Sequence, residues 1–152
     1  MKKQSFLLIA LVLISLVLIH CDKDNTTAEV PNSEPISTIC DTLVIVNEQN
    51  FNAANSEQLS INSYEIDEHC LKINFSSSGC DGSSWKLNLL GNETVLYSNP
   101  PQRLLKFDFE NIELCEAYIT KEKSFDLREL QVDGGQVILQ VEHIDQTILY
   151  EY

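Results

Sequence analysis

The residues best equipped for chemistry crowd into "SSSGCDGSSW", Ser76 to Trp85. Cys80 offers a thiol, Asp81 a carboxylate, and Ser83 and Ser84 hydroxyls that could contact a ligand. The same stretch also suits a connection between strands, because Gly79, Asp81 and Gly82 are turn formers for backbone reasons. Nucleophilic catalysis needs a base within reach of the nucleophile and a third group to orient it. His69 and His143 both fall at predicted turns, with no second histidine or cysteine at ligand spacing, and read as solvated. Ser83 and Ser84 lack the GxSxG context of a nucleophile elbow. Carboxylates gather at Glu65, Asp67 and Glu68 and again at Asp108, Glu110, Glu113 and Glu116. Paired carboxylates can hydrolyse glycosides, and oxygen-rich loops can hold calcium. Neither cluster has EF-hand or nonapeptide spacing, so both read as solvated acidic faces. The sequence therefore assigns no catalytic residue, metal ligand or cofactor. Asp81, Ser83 and Ser84 remain a candidate ligand-contact loop.

"GCDGSSW" resembles the segment of papain-like proteases in which a Cys-Gly-Ser-Cys-Trp sequence opens a helix. The position of the nucleophile is taken here by Ser84. The residues after Trp85 alternate like a strand, and only 67 of them remain, too few for that family's histidine and asparagine. The stretch is a stapled loop on this reading, and the elements around it say why.

From Cys40 onward apolar and polar residues take turns. Leu71, Ile73 and Phe75 oppose Lys72 and Asn74; Trp85, Leu87 and Leu89 oppose Lys86 and Asn88. Leu105, Phe107 and Phe109 repeat the pattern, as do Phe125 with Leu127, Val137 with Leu139 and Val141, and Ile148 with Tyr150 and Tyr152. A period of two is the signature of half-buried antiparallel strands. Asp133-Gly134-Gly135 predicts a tight hairpin between "DLREL" and "QVILQV". Gly91-Asn92 predicts a turn after Leu90, and Asn99-Pro100-Pro101 a loop. "TLVIV", Thr42 to Val46, is a short apolar run, and Glu48 to Leu59 could hold one short helix. About eight short strands predict an all-β fold, an antiparallel β-sandwich of immunoglobulin-like type, with a small β-barrel as the alternative. Tyr64, Tyr97 and Tyr118 are candidates for an exposed binding patch.

The first twenty residues differ in kind. Lys2 and Lys3 precede an apolar run from Phe6 to Ile19, too short for a membrane span but right for a signal peptide. The run closes on "LVLIHC". Leu18, three residues before Cys21, resembles the lipobox of bacterial lipoproteins, with His20 where that family usually has Gly, Ala or Ser. The resemblance implies cleavage before Cys21, acylation of that cysteine (palmitate among its chains) and insertion of those chains into the lipid bilayer. Asp22 to Thr38 then reads as a flexible polar tether, and residues 39–152 as a single domain. Cys21 with its preceding signal, the "SGCDGSSW" loop, "PPQRLLK" with "ELCEA", and the "SFDL" to "VIL" region together resemble short lipoproteins of flavobacterial type within the Bacteroidota, and "CDKDN" resembles the lysine-and-acid signal that sends some of that group's lipoproteins to the cell surface. That family implies the outer membrane or cell surface as location and carries over no activity.

Setting Cys21 aside leaves four of the five cysteines, Cys40, Cys70, Cys80 and Cys115. An even number in an exported chain implies two disulfides, and three pairings are open. Cys40–Cys70 with Cys80–Cys115 is favoured; each would close a loop of about 30–35 residues and stabilise by roughly 3–4 kcal/mol. No CxxC pair supports a redox motif or zinc ribbon. The chain carries a formal charge of −13; without Lys2 and Lys3 it carries 8 − 23 = −15. Nucleic acid, which must be neutralised by Lys and Arg, is excluded as a partner. The expected function is a monomeric, membrane-anchored, non-catalytic binding module with a protein or glycan partner in the envelope. The alternatives are a hydrolase using paired carboxylates, or a protease inhibitor or periplasmic chaperone presenting a loop such as Asn99 to Gln102.

Overall fold

The computed structural model describes residues 40–152; the signal segment, Cys21 and the tether lie outside them. The alternating runs form strands as their periodicity requires. Strand β3 is Ser60–Asp67, β4 Cys70–Gly79, β5 Lys86–Leu96, β6 Gln102–Glu110, β7 Ala117–Asp126, β8 Gln136–Val141 and β9 Ile148–Glu151. Two very short strands precede them, β1 at Thr42–Leu43 and β2 at Ile45–Val46. One sheet has the order β1-β7-β4-β3 and the other β2-β5-β6-β8-β9. The two pack face to face as a β-sandwich and do not close into a barrel. Between them lie the predicted inward residues, with Leu71, Leu89, Phe107, Phe125, Leu139 and Tyr150 all fully buried.

The sheets are mixed rather than purely antiparallel. After β6 the chain leaves its sheet, runs through the other as β7, and returns as β8 beside β6 in the same direction. The "TLVIV" run is split between sheets: β1 pairs with the end of β7, β2 with the middle of β5. Val44 sits buried at the crossing point, its amide donating to the Asp126 carbonyl at 3.2 Å. A single helix, α1, spans Glu48–Ala53, inside the range that allowed one. Asn47 caps it by accepting from the Asn50 amide at 2.9 Å, and Phe51 is its buried residue.

Two turn expectations change. Gly91-Asn92 does not end a strand; β5 runs through it with a register shift between Gly91 and Val95. The glycine serves packing instead, since a Cβ there would stand 3.1 Å from Leu130 Cδ2 and 3.3 Å from Val46 Cγ2. "DLREL" is no strand beyond Asp126. The buried Asp126 carboxylate accepts from the Arg128 amide at 3.0 Å and pairs with its guanidinium, winding Arg128–Leu130 into a 3-10 turn. Gly134 and Gly135 do adopt φ of +114° and +74°, yet β8 pairs with β6 and β9, so no hairpin joins it to β7.

Arg103 is buried among the core strands, with no carboxylate partner among the described residues. Its Nε donates to the Leu130 carbonyl at 3.1 Å and its Nη1 to the Asn92 carbonyl at 3.3 Å, tying the β5 irregularity to the 3-10 turn. Burial pulls its pKa down. Replacing it with leucine leaves both carbonyls without a donor. Arg103→Leu should therefore lower unfolding stability by about 1–3 kcal/mol, read as a shifted urea midpoint with an unchanged slope.

Candidate functional site

The loop between β4 and β5 carries the chain from one sheet to the other, and it closes around a carboxylate. Glu113 Oε2 accepts from the amides of Cys80 at 2.5 Å, Gly82 at 2.9 Å and Asp81 at 3.2 Å. Its Oε1 accepts from the Ser84 hydroxyl at 3.0 Å and the Ser84 amide at 3.3 Å. Successive amides converging on one anion form a nest; here the anion belongs to the same chain. Gly82, at φ +68°, supplies the left-handed residue the curl requires. Gly79 is glycine for space, because a Cβ would lie 2.5 Å from Glu113 Oε2 and 2.9 Å from Trp85. Partial burial opposes the Glu113 charge, but the Gly82, Cys80 and Ser84 amides and the Ser84 hydroxyl overcome it and lower the pKa to about 2.

A covalent bond ties the same two segments. Cys80 is joined to Cys115 and Cys40 to Cys70, the favoured pairing. Asn111 adds a third tie: its side chain donates to the Ser78 carbonyl at 2.7 Å and accepts from the Glu113 amide at 2.9 Å. Trp85 packs edge-on against Phe109 and tilted against Phe75 beneath the loop. Lys121 lies over its ring and donates to the Gly82 carbonyl at 2.5 Å.

Of the candidate ligand-contact residues, Ser84 is engaged by Glu113, and Asp81 Oδ1 takes the Ser83 amide at 2.8 Å. The Ser83 side chain and amide hold the Asp81 pKa below its ordinary value. The segment "NIELCE" inverts the usual order of a loop. Glu113 and Cys115 are turned to the nest and the disulfide, so Ile112 and Leu114 point outward, 70% and 96% exposed. Tyr118 comes next at 67%. Two large apolar side chains thus stand on a loop that cannot collapse to cover them, and a third, Tyr118, follows at the start of β7. Tyr97, wholly exposed at the β5–β6 tip, and Tyr64, on β3, are far from this group in the chain and on other strands.

The remaining candidates are placed apart. His69 is half-buried rather than solvated, with Nδ1 2.8 Å from the Tyr150 hydroxyl, which also accepts from Gln131 at 3.0 Å. His143 Nε2 lies 2.8 Å from the Ser56 hydroxyl, and that hydroxyl donates to Glu142 at 3.1 Å. Ser56 thus stands between an imidazole and a carboxylate, and the tautomer of His143 decides which of the two takes its proton. The acidic clusters break up: Asp67 and Glu65 pair with Lys72, Glu110 with Lys86, and Asp108 accepts from the Asn55 amide. Among the described residues no group of three His, Cys, Asp or Glu is arranged to hold a metal.

No protein-family model and no curated protein matches the chain. Solved structures that share its fold include two from Bacteroides. One is a protein of unknown function, DUF1344, from Bacteroides vulgatus: TM-score 0.52, 16% identity, 73% of this chain and 56% of that one. The other is a NigD-like immunity protein from Bacteroides caccae: TM-score 0.52, 6% identity, 71% of this chain and 58% of that one. The chain thus spans under three fifths of either neighbour's length.

Removing the nest's anion should loosen this end of the domain without touching the core. Glu113→Gln is expected to lower the melting temperature and to speed amide exchange at Cys80, Gly82 and Ser84. Because the folded pKa of Glu113 lies below its ordinary 4.5, its contribution is complete above that value and fades as pH falls toward about 2. The glutamine variant should accordingly lose less stability than the parent over that acid interval, as melts at stepped pH would show.

Proposed function

We propose that this domain is a non-catalytic docking module of the bacterial envelope that binds a protein through the rigid loop Asn111–Glu116. The observation that carries it is the outward turn of Ile112 and Leu114 beside Tyr118, held there by the Cys80–Cys115 bond and the Glu113 nest. Exposed apolar groups on an ordered loop are poised for association, because little conformational freedom is lost when they are covered. The immunity-protein neighbour, as described by its name, fits a protein partner for a fold of this kind.

The domain's two ends support the reading. The preceding chain enters at Cys40, which is bonded to Cys70 at the start of β4, while Cys80 lies just past the strand's other end. Ten residues of strand separate these ends by about 30 Å. If Cys21 is acylated and Asp22 to Thr38 is the tether, the docking loop lies at the opposite end of β4 from the point where the tether joins the domain. Surface location and lipid anchoring belong to this proposal as its geometry, with Cys21→Ala expected to shift the protein from membrane to soluble fractions.

The docking claim is tested by site-specific cross-linking. A photoreactive residue at position 114 of the full chain should yield a discrete protein adduct in envelope preparations, and Ile112→Ser should diminish it. The same group at Tyr97, on another loop, should not. Adducts at 97 but not at 114, or hydrolysis of a glycan or peptide panel that depends on Asp108 or Glu110, would reject the proposal.

A further inference from the structure

The sandwich has four lateral edges, and three are guarded in ordinary ways. β3 carries a register shift at its start and acidic residues along it. β9 is four residues long. β5 has its own irregularity and is covered midway by β2. Natural sheets blunt their edges by such means because unpaired backbone invites another strand.

β7 differs. It pairs with β4 in unbroken register from Ala117 to Asp126, but β1 covers only Phe125 and Asp126 on the other side. The side facing away from β4 can be identified from its bonds: the Ser124 amide donates to Asp41, and the Asp126 carbonyl accepts from Val44. Backbone groups alternate in direction along a strand, so Tyr118, Thr120 and Glu122 also present their N–H and C=O groups to that side. Among the described residues no partner meets them. Lysines often protect such an edge, yet Lys121 and Lys123 are engaged elsewhere. Their ammonium groups reach across to the Gly82 carbonyl at 2.5 Å and the Leu87 carbonyl at 2.6 Å on the way into and along β5. The free stretch begins directly after the exposed loop and contains Tyr118 itself.

We propose that the partner of the docking loop contributes an extended segment that adds as a strand to the Tyr118–Glu122 edge of β7, with an apolar side chain on Tyr118 and Leu114. This rests on the docking reading above and specifies its mode. The charge around the edge defines the segment further. The described domain carries seven Lys and Arg against nineteen Asp and Glu, a net −12, and Glu116 precedes the free stretch while Glu122 closes it. The incoming strand is therefore basic as well as apolar.

The probe is a phage-displayed random dodecapeptide library selected against the full chain in detergent. Enriched peptides should combine Lys or Arg with alternating apolar residues, and should slow amide exchange at Tyr118, Thr120 and Glu122. Thr120→Pro removes one outward N–H and leaves the β4 ladder bonds intact; Thr120→Val removes only the hydroxyl. Binding should fall at least tenfold in T120P and stay within twofold of the parent in T120V. The exchange measurement needs no variant and decides the matter if T120P folds poorly. Peptides that leave those three amides unprotected, or that bind T120P as well as the parent, overturn strand addition; if they still depend on Leu114, the docking loop survives alone. Failure to enrich any peptide overturns it too.

Discussion

Everything in this domain is referred to β4, a strand held at both ends. Its inner face supplies Leu71, Ile73 and Phe75 to the core, and its two edges pair with β3 and β7 over most of their length. One disulfide meets its first residue and the other the residue just past its last. Each removes loop-closure freedom from the unfolded chain, worth roughly 3–4 kcal/mol apiece in the chain-entropy model. The two do different local work. Cys40–Cys70 draws the entering chain across the end of β7, where Asp41 can cap the Ser124 amide and hydroxyl at 2.7 and 2.8 Å. Cys80–Cys115 binds the sheet-to-sheet loop to the segment that must turn back into β7. With both ends fixed, the register of β4 cannot slip, and a slip of one residue would have turned its core residues to solvent.

At the Cys115 end the disulfide and the Glu113 nest are not duplicates. A disulfide fixes one Cα–Cα distance, 4.8 Å here, and leaves the segments free to rotate about it. Five hydrogen bonds to two oxygens of one carboxylate fix orientation as well. Orientation is what turns Glu113 inward, and its two neighbours Ile112 and Leu114 are left facing outward. An ordinary surface loop would relieve such exposure by folding its apolar groups under. This one is prevented from doing so by a charged group more stable in its cradle than in water, as its depressed pKa records.

Much of this was legible in the sequence, and the parts that were not share a cause. The strands, their inward residues and the structural nature of the Cys80 loop come from period-two alternation and turn chemistry, both local properties, whereas the choice among three cysteine pairings took the structure. What escaped was set by distant partners. Glu113 looked like one member of a solvated acidic row, because its five donors lie about thirty residues earlier in the chain. His69 does sit in a turn, as its position suggests, but is half-buried rather than solvated because its hydroxyl partner Tyr150 is 81 positions away. Gly91 looked like a turn because glycine usually marks one, whereas three side chains from separate elements crowd the place a Cβ would take. The parallel pairing of β6 with β8 needed the route of β7 through the other sheet. One signal did exist for the nest: "GCDGSS" has more small and left-handed-tolerant residues than a two-sheet crossover requires, the composition of a loop whose amides must converge.

The same economy of lysines explains why one edge is left open. A domain with net −12 among its described residues has few cations to place, and those on β7 face inward because alternation puts Lys121 and Lys123 on the side of Ile119 and Phe125. There they close the side of the sandwich, each over an aromatic ring, Lys121 donating to the Gly82 carbonyl of the β4–β5 loop and Lys123 to the Leu87 carbonyl of the other sheet. A lysine so engaged cannot also shield the strand's outward backbone. Sealing the side of the sandwich and guarding its edge are thus competing uses of the same residues, and this sequence has chosen the seal. The uncovered edge starts where the rigid loop ends, so a partner attracted by Leu114 and Ile112 meets unpaired backbone at the next step along the chain.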